Sequence, residues 1–350
     1  MVRRFGLLLM LVAACVPDLE DTSALVAGPR LLAVAMDPPE ASAGAQVVWR
    51  ALDVTPEGPA ARPIDWALCQ LRKPVSEAGP INPACLSATG PATTLSPLGA
   101  GPSVAGRLPS RACQVFGPET PSPKPGEPQA REVDPDSTGG FYQPLRLRLG
   151  DTESYGTYDA RVRCALNNVN PQQANQLQTR SHPNTNPILT SFVVINGDGS
   201  VVPLVPIELA DEARASIPAG QPQRLRATWG ACPAVDACGD GFCGVTETQG
   251  TCAADCQNPK PCGGAEPYLW FNPATRELVP RREVMRASWF ASAGTFDTGR
   301  TGRSEEEWSI ANTENTWIPP TAPGTVARVW IVLRDDRGGA TWLSFVFGLR

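Results

Sequence analysis

The amino-acid sequence predicts an all-β protein: two β-sandwich domains in tandem, the second carrying a small disulfide-rich insert. Three observations predict it. Among 350 residues there are 37 prolines and 32 glycines, a density of turn formers that breaks up long helices and suits short strands. The apolar residues fall in short runs, several with a period of two, which is the signature of strands with one wet face. Six of the eleven cysteines crowd between Cys232 and Cys262, in a stretch poor in apolar residues, where covalent links must supply the cohesion that a core cannot.

Taken in order, the chain opens with Arg3 and Arg4, an apolar run from Phe5 to Val12, and then Ala13-Ala14-Cys15. A charged start, a hydrophobic segment too short for a permanent span, and small residues before a cleavage point make residues 1–14 a signal peptide. Val12-Ala13-Ala14-Cys15 resembles the lipobox of bacterial lipoproteins. The resemblance implies that Cys15 is acylated, palmitate among the chains, and becomes the first residue of the mature protein. Several acyl chains, each contributing about 0.8 kcal/mol per buried methylene, hold a protein on a membrane firmly. Val16 in place of an aspartate implies the outer membrane as destination. The expected localisation is thus the cell envelope, as an outer-membrane lipoprotein.

Residues 15–28 include the acidic Asp18, Glu20 and Asp21 and read as a flexible tether. Residues 29–200 read as the first sandwich. Its strands are signalled by Leu31–Met36, Ala45–Val54, Ile64–Leu71, Phe141–Leu149, Tyr158–Cys164 and Ile188–Ile195. Leu145, Leu147 and Leu149 alternate with Arg146 and Arg148, which assigns the leucines to the core face. A long Pro-rich loop, about residues 73–140, separates the early strands from the late ones. Its length implies short strands hidden within it and an ordered excursion around Gly117–Gly140.

Residues 201–350 read as the second sandwich. Arg224–Trp229 alternates in the same manner, the Cys-rich insert 232–262 interrupts, and Tyr268–Phe271 returns through a turn at Asn272–Thr275 to Glu277–Val279. Arg286–Ala291 follows. Thr325–Leu333 and Thr341–Leu349 form a hairpin across Asp335-Asp336-Arg337-Gly338-Gly339, whose glycines suit a turn that needs positive φ. Trp66 beside Cys69, and Tyr158 ahead of Cys164, resemble the core of immunoglobulin-like modules, although Cys69 follows its tryptophan where that family places a cysteine on an earlier strand. The combination of lipobox, sandwiches, Cys-rich insert and the strand Ser288–Asp297 is similar to surface lipoproteins of myxobacteria of unknown function. That resemblance brings no activity with it.

Eleven cysteines less Cys15 leave ten, an even number that suits disulfides in an exported chain. Cys69 with Cys85 and Cys113 with Cys164 is the pairing expected for the first half, one of three possible. Cys232, Cys238, Cys243, Cys252, Cys256 and Cys262 allow fifteen connectivities, and spacing does not choose among them.

Within the insert, Asp236, Asp240 and Glu247 occupy the first, fifth and twelfth places of an EF-hand-like loop, with the Phe242 carbonyl at the seventh. The cluster also resembles the small calcium-binding repeats of Notch-type proteins, which implies Asp240 and Asp255 as ligands. Calcium is therefore one reading of the insert. The other is a disulfide knot whose acids are not ligands. Zinc is disfavoured, because export oxidises thiols and one histidine is available to help.

That histidine, His182, lies in a turn-like stretch away from any nucleophile motif and reads as a surface residue. No Gly-x-Ser-x-Gly, His-Glu-x-x-His or phosphate loop occurs. Removing Arg3 and Arg4 takes the formal charge from −5 to −7, which does not suit nucleic acid. A glycosidase needs only two carboxylates, and Glu305-Glu306-Glu307-Trp308 is where carboxylates adjoin an aromatic, but such a run reads first as a solvated loop. Trp270, Trp308, Trp317 and Trp342 could form a sugar platform. The expected function is a non-catalytic structural or adhesive role at the membrane, with an envelope protein or glycan as partner. The alternative is a carbohydrate-binding or glycan-hydrolysing surface module.

Overall fold

The computed structural model describes residues 23–73, 79–87, 94–118, 125–126, 138–150, 154–166, 169–207, 214–272 and 274–350. Cys15, the lipobox and most of the segment Gly117–Gly140 lie outside the described residues. The fold is all-β. The first half supplies β1 (Arg30–Asp37), β2 (Glu40–Ser42), β3 (Gln46–Thr55), β4 (Gly58–Pro59), β5 (Ile64–Cys69), β6 (Leu95–Ala100), β7 (Ser103–Arg107), β8 (Gly140–Leu149) and β9 (Tyr155–Arg163). One sheet runs β1-β3-β4 with β7 also on β3, and the facing sheet runs β2-β9-β8-β5-β6. The leucines of β8 point inward as their alternation requires, with Leu145, Leu147 and Leu149 buried. They meet Trp49 and Trp66 between the sheets. The Trp66 indole N–H donates to the Gly101 carbonyl at 2.7 Å, which satisfies its polar atom inside an apolar layer.

β6 and β7 are the short strands hidden in the long loop. A one-turn helix, α1 (Ala112–Val115), follows them. Cys69 bonds to Cys85 and Cys113 to Cys164, the expected pairing. After β9 comes α2 (Pro171–Arg180), which the sequence reading did not anticipate. Its start is locally encoded: Asn170 accepts from the Gln173 N–H, Gln173 answers to the Asn170 N–H, and Pro171 takes the first helical position, a complete capping box.

The second half supplies β10 (Leu189–Ile195), β11 (Val201–Pro203), β12 (Arg214–Ile217), β13 (Gln223–Trp229), β14 (Pro267–Asn272), β15 (Glu277–Arg282), β16 (Met285–Ala291), β17 (Thr295–Phe296), β18 (Arg300–Arg303), β19 (Asn312–Ile318), β20 (Val326–Arg334) and β21 (Ala340–Leu349). The sheets are β11-β10-β13-β19-β17 and β12-β21-β20-β16-β18, with β14-β15 as a separate ribbon. Leu225, Ala227 and Trp229 face the core, whereas Arg224 and Arg226 turn outward and both pair with Glu314 on β19. Trp289, Trp317, Phe296, Phe345 and Phe347 interleave at the centre.

Two boundaries differ from the sequence reading. The sequence places Ile188–Ile195 in the first sandwich, yet β10 pairs with β13 over Leu189–Ile195, and Phe192 and Val194 join the second core. The tether reading also ends early, because Ala24 and Val26 are buried and Leu25 bridges Ala291 of β16. In both cases a short apolar segment has two sheets within reach, and complementarity at a distance decides between them.

Candidate functional site

Two regions gather chemistry-bearing side chains: the Cys-rich insert and the joint between the sandwiches. In the insert, Cys232–Cys262 clamps the two ends, while Cys238–Cys252 and Cys243–Cys256 interleave inside. A bridge closing a loop of about 15 residues is worth about 3 kcal/mol in the chain-entropy account. Cys252 and Cys256 are joined by the one-turn α3 (Ala253–Cys256), with Cys252 at its N-cap.

The carboxylates act as caps for this irregular backbone. Asp255 Oδ2 and Oδ1 accept the N–H groups of Gly239 and Gly241 at 2.6 and 3.1 Å. Asp236 Oδ2 accepts the Thr246 N–H and hydroxyl, Asp240 Oδ1 accepts the Phe242 N–H, and Glu247 Oε2 accepts the Gly244 N–H. Glycine is required at 239 and 241, where φ is 100° and 85°, because a Cβ would be strained there. Of the expected calcium set Asp236, Asp240, Phe242, Glu247 and Asp255, the acids Glu247 and Asp255 gather with Cys238 and Cys252 so that their ligand atoms lie within 4.8 Å of one another. A calcium ion needs six to eight oxygens, whereas backbone N–H groups turn their positive ends toward these ones. This geometry favours the disulfide-knot reading, in which the acids cap the insert's own backbone, while Glu247 Oε1 stays buried without a hydrogen-bond partner among the described residues.

His182 is not the surface residue its sequence context implied. It is half-buried, and its Nε2 lies 3.2 Å from Cys243 Sγ. Burial pushes the imidazole below its ordinary value, against a hydrogen bond to the Gly244 backbone that raises it. With Cys256, Arg163, Gln178 and Gln249 it lines a groove of 680 Å³. A second groove of 490 Å³ runs beside the insert, lined by Asp236, Arg281, Arg282, Glu305, Glu306 and Trp308. There Arg282 lies 4.3 Å from the Trp308 ring centre, and Arg281 lies 5.3 Å from that of Trp270 while pairing with Glu305. The four tryptophans named as a platform do not form one. Trp317 is fully buried and donates to the Ala293 carbonyl, and Trp342 packs in the seam between the sandwiches under Arg50.

The joint was not legible in sequence. Val26, Leu32, Ala33, Leu52 and Val54 of the first half meet Trp330 and Val332 of β20 in an apolar seam. Beside it lies a buried charge network. Glu40 Oε2 accepts from Arg161 Nε at 3.1 Å, Arg337 at 2.9 Å and the Asn184 N–H at 3.1 Å. Arg337 also reaches Glu283 Oε1 at 3.3 Å and sits over the Tyr268 ring. Glu283 Oε2 accepts the Glu266 N–H, and Glu266 accepts the Thr185 hydroxyl. Asp335 Oδ1 accepts the N–H groups of Arg337 and Gly339, both at 2.8 Å, and Asn184.

Four carboxylates thus share two guanidinium groups in this network, and their titration diverges accordingly. Burial alone would raise Glu40, but Arg161 and Arg337 outweigh it and hold the acid below its ordinary range. Burial pushes Glu266 up to about 7 and raises Glu283 and Asp335, with Asp335 adding to the effect at Glu283. Strongly shifted groups of this kind also arise in structural ion-pair networks. No sequence signal marks them, because Glu40 and Glu283 reach Arg337 only through the fold.

No family model matches the chain, and no curated protein matches it. Among solved structures it is similar to the fibronectin(III)-like modules of Clostridium thermocellum CbhA, at 9% identity and TM-score 0.20, covering 91% of this chain and 94% of that one. It is also similar to the Yersinia pseudotuberculosis adhesin InvE, at 8% identity, TM-score 0.21 and 90% coverage, and to dimeric latent PorU from Porphyromonas gingivalis, at 8% identity, TM-score 0.20 and 93% coverage. The chain spans 58% of the second protein and 24% of the third. Among the described residues no helix is long and apolar enough to cross a membrane.

Proposed function

We propose that this chain is a lipid-anchored envelope protein with a non-catalytic structural or binding role. In this reading Cys15 carries the anchor, the two sandwiches form a single rigid body, and the Cys-rich insert with its neighbouring grooves is the presented surface. The observation that carries it is the joint: an apolar seam beside a buried ion network makes two sandwiches behave as one support, and five disulfides suit an oxidising compartment. The test is metabolic labelling of the full chain with radioactive palmitate in cells. The native chain takes up label and fractionates with membranes, and Cys15→Ala does neither. Labelling equal in both forms refutes the anchor.

A second reading, glycan binding or hydrolysis, is favoured by the groove in which Trp308, Arg281, Arg282, Glu305 and Glu306 meet. Aromatic faces beside planar polar groups suit sugar rings. A glycan array with the body, paired with a reducing-sugar assay, separates the readings. Binding together with turnover supports the second, and neither one supports the first.

A further inference from the structure

The five disulfides differ in what surrounds their sulfurs. Cys252 Sγ lies 3.4 Å from Asp255 Oδ2, and Cys262 Sγ lies 3.9 Å from Glu266 Oε1. A thiolate released at either would face a carboxylate, which disfavours its charge and slows its departure. Cys69, Cys85 and Cys113 rest against the carbonyl oxygens of Leu71, Thr94 and Arg163, which are also poor neighbours for an anion. Cys243 is different. Its Sγ faces Nε2 of the only histidine in the chain at 3.2 Å, and Cys256, its bridge partner, 5% exposed, lines the groove beside that histidine.

We propose that Cys243–Cys256 is a thiol–disulfide exchange centre, opened from the groove by an external dithiol, with Cys243 as the leaving sulfur and His182 as its proton partner. A thiolate of the dithiol attacks Cys256 Sγ, forming a mixed disulfide as the Cys243–Cys256 bond breaks. Cys243 leaves with the electron pair, and a proton from solvent reaches its sulfur through His182 Nε2, 3.2 Å away. The second thiolate of the dithiol then displaces Cys256. The dithiol ends as a disulfide, the bridge ends as two thiols, and the two protons given up by the dithiol are balanced by those taken up at Cys243 and Cys256. A proton-transfer partner beside the departing sulfur neutralises the charge it develops and speeds its departure. Gln178, Thr248 and Gln249 line the groove and offer side-chain hydrogen bonds to a peptide backbone, so the substrate class is a protein or peptide dithiol. This inference stands apart from the anchoring reading, which it does not need.

The test uses the full oxidised chain with limiting dithiothreitol. New thiols are trapped with N-ethylmaleimide at successive times and located by peptide mass spectrometry. Cys243 and Cys256 are expected to be labelled before the other eight cysteines. His182→Gln and His182→Ala are expected to slow this bridge by about 10-fold or more and leave the other four unchanged, with melting recorded for each variant. Another bridge opening first overturns the proposal, and so does a wild-type opening rate in either variant that keeps wild-type melting. Where both variants lose that melting, the order of opening in the native chain decides.

Discussion

Replacing Arg337 by methionine tests whether the joint holds the sandwiches together electrostatically. Arg337 is 4% exposed and serves Glu40 and Glu283 at 2.9 and 3.3 Å. Methionine fills much of the aliphatic volume, so the loss is the charge and its hydrogen bonds. Breaking a buried pair from one side leaves an uncompensated ion and costs about 3–5 kcal/mol. Two acids lose a partner here, although Glu40 retains Arg161 at 3.1 Å, so the upper half of that range applies at pH 7.5. At pH 5 Glu283, already raised by burial, protonates readily, and the cost falls. Urea unfolding of the oxidised body at both pH values measures this. Adding Glu283→Gln to the methionine variant removes the stranded charge, while Glu40 keeps its pair with Arg161, and is expected to restore most of the loss. A loss below about 1 kcal/mol at pH 7.5 refutes the reasoning, as does a double variant no more stable than the single one.

Glu266→Gln addresses pH. Because the folded value is raised from 4.5 to about 7, its contribution is fully present below about pH 4.5 and is lost as pH rises through about 7. At about 1.36 kcal/mol per pH unit, native stability is expected to fall by about 3 kcal/mol across that window. The glutamine variant flattens the decline, whereas an unchanged slope assigns it elsewhere. Glu40, held low, acts oppositely and loses stability as pH falls below its ordinary range. Gly339→Ala puts a methyl group against Asp335 Oδ2 and the Thr185 carbonyl and is expected to cost about 1–3 kcal/mol, measured by the same unfolding curves. Millimolar calcium or a chelator is expected to leave the melting midpoint unmoved; an ion that bound only the folded form would raise it.

The sequence by itself determined the fold class and most strand positions, because alternation and turn chemistry are local; which of three pairings joins the first-half cysteines was settled by the fold. Leu145, Leu147 and Leu149 can bury together only on one face of a strand, and a dense cysteine cluster with so few apolar residues can cohere only through bridges. Tertiary structure decided which sandwich owns β10, that Glu40 and Arg337, distant in sequence, share a buried ion pair, and that His182 lies on a disulfide. A lone glutamate, an arginine in a glycine-rich turn and a histidine before a proline each look solvated in their own stretch. Their chemistry comes from the low-dielectric space that two folded bodies enclose between them, and no window along the chain contains that space.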